Sequence, residues 1–361
     1  MTMLYPNLRK YGLTDSFVRE AAAYDGLFLA RVTAQHRGLY TAVSETGEIN
    51  AAVSGKFSWR AEGPLSFPAV GDWVLLDRED AKGGNAAIQH ILRRKSVFTR
   101  KAAGAAHEGQ VIATNIDTLF ICMSLNANFN LRRAERYLAI VWESRAAPVI
   151  VLTKSDLCED LESKVREVAS VALGADVAVC SSKNAQGWDA VRAYLQPGKT
   201  AAFIGSSGVG KSTLINRLAG MEIMATKEIR ASDDEGRHAT THRQLILLPD
   251  GGLVMDTPGM RELALYTGDI AKTFQDIEEL ALGCKYKDCS HTAEPGCAVL
   301  LAIEEGMLSE KRFMNYQKLH REVSYEGMNS RQIEDEKIRK MFGSKADMQR
   351  FRKFVKEKRD R

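Results

Sequence analysis

The stretch Thr200-Ala201-Ala202-Phe203-Ile204-Gly205-Ser206-Ser207-Gly208-Val209-Gly210-Lys211-Ser212-Thr213 decides how this chain is read. An apolar run ends in a glycine-rich turn and continues into the helical pattern Leu214-Ile215-Asn216-Arg217-Leu218. That is the strand–loop–helix setting a Walker A phosphate loop requires. Glycines let backbone N–H groups turn inward onto phosphate oxygens, and the start of the helix adds favourable partial charge. Lys211 is placed to reach the β- and γ-phosphates and Ser212 to ligate Mg²⁺, with Gly205, Ser206, Ser207, Gly208, Val209, Gly210 and Thr213 completing the loop. A chance turn rich in glycine and serine is the alternative, and the flanking elements weigh against it.

Working outward, Asp256-Thr257-Pro258-Gly259 follows the strand-like Leu253-Val254-Met255. An acid at a strand end is the expected second anchor of the magnesium shell, here Asp256, and Gly259 lets its backbone N–H approach the γ-phosphate. Thr153-Lys154-Ser155-Asp156 follows the buried-strand pattern Val149-Ile150-Val151-Leu152 and resembles the guanine-specificity motif Asn/Thr-Lys-x-Asp. A carboxylate at Asp156 accepts from both the N1–H and the N2 amine of guanine, a pair adenine does not offer, while Lys154 lies along the base. Thr153 stands where Asn is commoner, which weakens one supporting hydrogen bond. Cys180-Ser181-Ser182-Lys183 resembles the weaker base-contact motif. Asp156 precedes Gly205 by 49 residues, the reverse of the order in an ordinary small GTPase. Such loops sit at the carboxyl ends of parallel strands, so rejoining the chain elsewhere leaves the site intact. The order describes a circularly permuted P-loop GTPase domain.

The remaining sequence flanks that domain. With 361 residues the chain divides into two or three domains. Hydrophobic content of 45% and charged content of 27% fit a soluble globular protein and exclude disorder, collagen-like repeats and coiled coil. The longest apolar run, Ala147-Pro148-Val149-Ile150-Val151-Leu152, is far short of the ~20 residues that span a bilayer. The N-terminus lacks a signal-peptide pattern. A cytoplasmic monomer that avoids membranes is expected. Short runs at Leu27–Thr33, Gly38–Val43, Ala51–Trp59, Val70–Asp77 and Ala87–Leu92 read as five strands of a small β-barrel, like the oligonucleotide-binding (OB) fold. Lys56-Phe57-Ser58-Trp59-Arg60 reads either as a base-stacking surface or as Phe57 and Trp59 alternating into the barrel core. Residues 1–25 read as a short polar lead-in with some helical character and Arg93–Lys101 as a basic, loop-like linker. The divisions expected are 1–25, a barrel with linker over 26–101, the GTPase domain over 102–275 and a zinc-binding helical domain over 276–361.

In that last segment Cys284-x4-Cys289-x-His291-x5-Cys297 supplies three thiolates and one imidazole, a closed tetrahedral set of the structural zinc type. A disulfide is disfavoured by the odd number of cysteines in this segment and the expected cytoplasmic compartment. From Ser309 to Arg361, sixteen Lys/Arg oppose nine Asp/Glu, so the net charge of +4 is a basic tail on a near-neutral body. Such a tail suits a polyanionic partner or a solvated helical face.

Together these features resemble the bacterial ribosome small-subunit-dependent GTPase A family over most of the chain. The resemblance implies GTP and GDP as ligands with Mg²⁺, one structural Zn²⁺, and the small ribosomal subunit with its rRNA as partner. Gly236-Arg237-His238-Ala239-Thr240-Thr241-His242 resembles the family's first switch, with Ala239 departing from the pattern. It implies Thr240 as a magnesium and γ-phosphate sensor. Met260 stands where Ras-like proteins carry a water-positioning Gln, so the family points to His238 for hydrolysis, with packing or phosphate contact elsewhere as the alternative. A permuted GTPase acting on another RNA or assembly, or a zinc-stabilised RNA-binding module whose nucleotide site only gates affinity, are the other functions these motifs allow.

Overall fold

Two burial patterns divide the strands. Glu48–Val53 and Ala86–Ile91 alternate between buried and accessible positions, whereas Thr118–Ser124 is buried at every residue. The first pattern suits a small barrel with one wet face, the second a sheet covered by helices on both sides. The computed structural model describes residues 4–36, 38–80, 84–101, 109–126, 128–181, 183, 186–220, 222, 243–256 and 268–324, with scattered positions between 332 and 350.

The helical character expected of the N-terminal segment is present, and its apolar residues are buried rather than solvated. The segment forms helices α1 (Pro6–Lys10) and α2 (Asp15–Ala21), whose Leu8 and Phe17, with Leu13 between them, pack against Trp73, Leu75 and Leu92. Strands β1 (Phe28–His36), β2 (Leu39–Ser44), β3 (Glu48–Val53), β4 (Trp73–Leu76) and β5 (Ala86–Ile91) run in the order β1-β2-β3-β5-β4, and β4 pairs back to β1 to close the barrel. Its core holds Ala30, Val32, Ile49, Val74, Leu76 and Ile88.

The expected third strand stops early. Ser54 Oγ accepts from the Phe57 backbone N–H at 3.1 Å and caps helix α3 (Gly55–Arg60). Residues two apart on a helix do not share a face. Phe57 therefore meets Phe67 edge-on while Trp59 is 86% exposed. The strand expected over Ala51–Trp59 therefore ends at Val53, and the reading in which Phe57 and Trp59 alternate into the barrel core does not hold. The expected linker is also ordered, since β6 (Val97–Lys101) pairs antiparallel with β7 (Gly109–Thr114).

The nucleotide-type sheet consists of β8 (Thr118–Ser124), β9 (Ala147–Thr153), β10 (Asp176–Val179), β11 (Thr200–Ile204), β12 (Arg243–Leu247) and β13 (Leu253–Asp256), in the order β10-β9-β8-β11-β13-β12. All pairings are parallel except β12 with β13. Alternate residues face opposite layers. Ile121, Ile150, Leu152 and Ile204 pack with helix α4 (Leu131–Ser144), joined by Val168 of α5 (Leu161–Ala169). Phe120, Val149, Val151 and Phe203 pack with Val191 of α6 (Trp188–Arg192) and with Leu214 and Leu218 of α7 (Lys211–Ala219). The barrel and this sheet are hydrogen-bonded to each other, because β1 pairs antiparallel with β12 at Ala34–Gln244 and Gln35–Arg243. At Gly71 (φ +96°) the barrel packs so tightly on its neighbours that a Cβ would lie 2.2 Å from the Thr114 carbonyl oxygen of β7 and 2.9 Å from Met255 Cε of β13.

Helices α8 (Ile270–Thr273), α9 (Gln275–Ala281), α10 (Ala298–Glu304) and α11 (Glu310–Ser324) share a core of Phe274, Ile277, Val299, Phe313 and Leu319, to which α4 adds Ala139. Beyond Ser324 the expected helical domain and basic tail lie mostly outside the described residues.

Because Phe17 fills the space over Trp73, Phe17→Ala should cost about 3–5 kcal/mol, lowering the midpoint of the first urea-unfolding transition. An unchanged midpoint would make the N-terminal helices an appendage.

Candidate nucleotide and metal sites

Parallel pairing of β9, β10, β11 and β13, with β8 between β9 and β11, brings their carboxyl ends to one edge of the sheet. The loops that follow these strands therefore meet although they come from distant parts of the chain. Gly205 leaves β11 at φ +141°, where a Cβ would lie 2.3 Å from the Cys122 carbonyl oxygen. Gly208 and Gly210 also have positive φ, and Gly210 caps α7. Lys211 begins the helix, and its Nζ donates to the carbonyls of Gly205 at 2.6 Å and Ser206 at 2.7 Å. The ammonium thus sits within the curve of the loop, where phosphate oxygens are expected.

Thr153 ends β9 and joins the two loops. Its hydroxyl donates to the Val209 carbonyl at 2.6 Å, so the residue that replaces the commoner Asn ties the Thr153–Asp156 segment directly to the Gly205–Thr213 loop. Lys154 follows in the left-handed region (φ 56°), a conformation that costs an L-residue roughly 1–2 kcal/mol and reverses the chain at once. Asp156 then turns back, its Oδ1 accepting from Ser181 Oγ at 2.5 Å. That hydrogen bond holds the Asp156 carboxyl below its ordinary range against the opposing effect of burial, with its own backbone N–H and the cations Lys183 and Lys154 adding smaller contributions. Ser181 is fixed in turn, since Trp188 Nε1 donates to its carbonyl at 2.8 Å. The structure thus brings Thr153, Lys154, Ser155, Asp156, Ser181 and Lys183 to the phosphate-loop edge. Asp256 is the last residue of β13 on the same edge. Ser182, His238, Thr240 and Gly259 lie outside the described residues.

Sequence reading missed Arg133. Its Nη1 donates to Ser206 Oγ at 2.6 Å from the first turn of α4. The signal was present: Arg132, Arg133 and Arg136 crowd the start of a helix, where the dipole disfavours cations unless partners compensate them.

The four metal-type residues converge as expected. One donor atom from each of Cys284, Cys289, His291 and Cys297 lies within 4.8 Å of the others. Cys284 Sγ is 3.8 Å from Cys297 Sγ and 3.6 Å from His291 Nδ1, which lies 3.3 Å from Cys297 Sγ. With Zn–S bonds of ≈ 2.3 Å, the edge of a tetrahedron is about 3.8 Å, so the donor set fits a four-coordinate ion of zinc type. Burial raises the Cys284 thiol, but backbone N–H groups of Ala298 and Val299 and the neighbouring thiols outweigh it and lower the thiol overall. By contrast, burial pushes the Cys122 and Cys180 thiols up to about 12 and about 11, as expected of inert core cysteines.

Residues 91–266 match the family model described as RsgA GTPase. A small ribosomal subunit biogenesis GTPase of Lactiplantibacillus plantarum, RsgA 2, is 54% identical over 344 residues, covering 95% of this chain and 97% of its own. The RsgA 1 protein of Listeria innocua, named for the same activity, is 43% identical over 320 residues, 88% of this chain and 90% of its own. Among solved structures, YjeQ from Thermotoga maritima is similar with a TM-score of 0.61 at 27% identity, covering 84% of this chain and 100% of that one. YloQ, described as a circularly permuted GTPase, gives 0.58 at 26% identity over 83% of this chain and 96% of its own.

Removing the hydroxyl that holds Asp156 should raise its carboxyl toward the ordinary carboxylate range. An NMR titration comparing the parent chain with Ser181→Ala measures this, and an unmoved Asp156 would reassign the effect to the nearby lysines.

Proposed function

The chain belongs to the RsgA GTPase family and is a circularly permuted GTP hydrolase, and on that premise we propose that it binds the small ribosomal subunit and assists its late maturation. The observation that carries the nucleotide part is the junction of three loops at one sheet edge, closed by the Thr153–Val209 hydrogen bond. In this reading Gly205–Thr213 wraps the phosphates, Lys211 bridges the β- and γ-oxygens, and Ser212, Thr240 and Asp256 hold Mg²⁺. Asp156 accepts from the guanine N1–H and N2 amine, Lys154 lies along the base, and the Ser181–Lys183 loop supports it. Gly259 turns its N–H to the γ-phosphate, and His238 assists hydrolysis in place of a glutamine.

The ribosomal part rests on what the relatives are named for, supported by the excess of cations from Ser309 to Arg361. Cations of that kind bind RNA phosphates without reading sequence. GTP favours docking through the barrel and the C-terminal domain, and hydrolysis, accelerated by the subunit, favours release. Cys284, Cys289, His291 and Cys297 hold one Zn²⁺, which staples the segment between α9 and α10 and has no position left for water. The protein acts as a cytoplasmic monomer. No helix among the described residues is long and apolar enough to cross a membrane.

Titrating purified small subunits into a GTPase assay should raise the turnover rate, and equal rates with and without subunits would defeat the ribosomal reading. Asp156→Asn should move preference from GTP toward XTP, whereas unchanged GTP preference would remove the base-reading role. Metal analysis should find one zinc per chain. Its removal by chelator should unfold the α9–α10 segment while GDP still binds, and loss of GDP binding at the same chelator concentration would show that the metal supports the nucleotide site instead.

A further inference from the structure

The three arginines that open α4 point in different directions. Arg132 Nη1 donates to both carboxylate oxygens of Glu135, at 2.6 and 2.7 Å. Arg136 forms a two-point pair with Glu322 of α11, at 2.6 and 2.8 Å. Arg133 turns to the phosphate loop instead and donates to Ser206 Oγ. Ser206 is therefore held on two sides: Arg133 takes its hydroxyl and Lys211 its carbonyl. Lys211 is the cation the proposed function gives to the β- and γ-phosphates, so whatever fixes Ser206 also fixes where that ammonium rests.

Two residues along, Glu135 faces the C-terminal helices. It is fully buried, which for a carboxylate requires full compensation. Arg312 Nη1 of α11 donates to it at 2.6 Å and Asn315 Nδ2 at 2.6 Å. Arg312 is itself clamped by Asp276 of α9, through two contacts of 2.7 Å, and by the Thr273 carbonyl of α8 at 3.2 Å. One rigid helix thus touches the phosphate loop and α11, and through Arg312 is tied to α8 and α9. A cavity of about 580 Å³, lined among others by Arg133, Tyr137, Ser206, Ser207, Asn315 and Lys318, leaves Arg133 room to move.

We propose that Arg133 is a positioning residue for the phosphate loop, and that the seat of the C-terminal helices on Glu135 sets where Arg133 stands. A displacement of α11 against α4 then alters the hold on Ser206 without any C-terminal residue touching the nucleotide. The inference rests on the GTP-hydrolysing reading of this site. It differs from a purely structural role in what it says about turnover.

Steady-state GTP hydrolysis by the full-length chain with small subunits present tests it. Arg133→Ala should lower kcat about tenfold, the scale of a charge-assisted hydrogen bond, with KM moving much less, and Arg133→Lys should recover part of the loss. Glu135→Gln should lower kcat in the same direction. The double variant should be no slower than Arg133→Ala alone, because both act through one contact. If Glu135→Gln does not fold, judged by circular dichroism, Glu322→Ala at the more accessible Arg136 pair takes its place in the cycle. An unchanged kcat for Arg133→Ala, or losses that multiply in the double variant, overturns the proposal. A parent chain that hydrolyses no GTP overturns the underlying function instead.

Discussion

Parallel hydrogen bonding across β10, β9, β8, β11 and β13 is the constraint on which the site depends. It aligns the ends of strands that lie far apart in sequence, so that a one-strand reversal anywhere in this set would send a loop to the opposite edge. The Thr153 hydroxyl then closes the remaining gap, bonding one loop to the carbonyl of another. Neither feature depends on the order in which the strands are connected, which is why a permuted chain keeps an intact site.

What the sequence made legible was local or periodic. The phosphate loop is a contiguous motif between a wholly apolar strand and an amphipathic helix, and the metal-binding residues fall within a short segment. The errors arose where short-range pattern and tertiary context disagree. Lys56–Arg60 alternates like a strand, but Ser54 caps a helix there and sends Phe57 and Trp59 apart. Val97–Lys101 is too basic to read as sheet, yet β7 supplies its hydrogen bonds. The contacts that mattered most to the further inference were not legible at all. Glu135 and Arg312 are 177 residues apart, and only the fold shows that one buried charge faces the other.

Buried charge also marks the join at the other side of the molecule. Arg31 of β1 is 1% exposed and, among the described residues, forms no ion pair. It donates instead to carbonyls of Tyr11, Gly71 and Asn115 and to the Thr200 hydroxyl, reaching the N-terminal helices, the barrel and the nucleotide sheet together. Burial lowers its guanidinium to about 10, with Asp117 and Asp72 working the other way from a distance. Arg312, equally enclosed, is held above its ordinary value despite burial because Asp276 and Glu135 meet it directly. The two arginines thus solve the same desolvation problem by different means: distributed carbonyl dipoles in one case, full counter-charges in the other.

Permutation has one more effect, visible in the connectivity alone. Among the described residues, no further strand of this sheet follows β13. The next described element is α8, from Ile270, the first of the helices whose core α4 completes with Ala139. The C-terminal helices are thus joined to the nucleotide sheet twice, by chain continuity after β13 and by the buried Arg312–Glu135 pair on α4, so neither body can shift without working against the other.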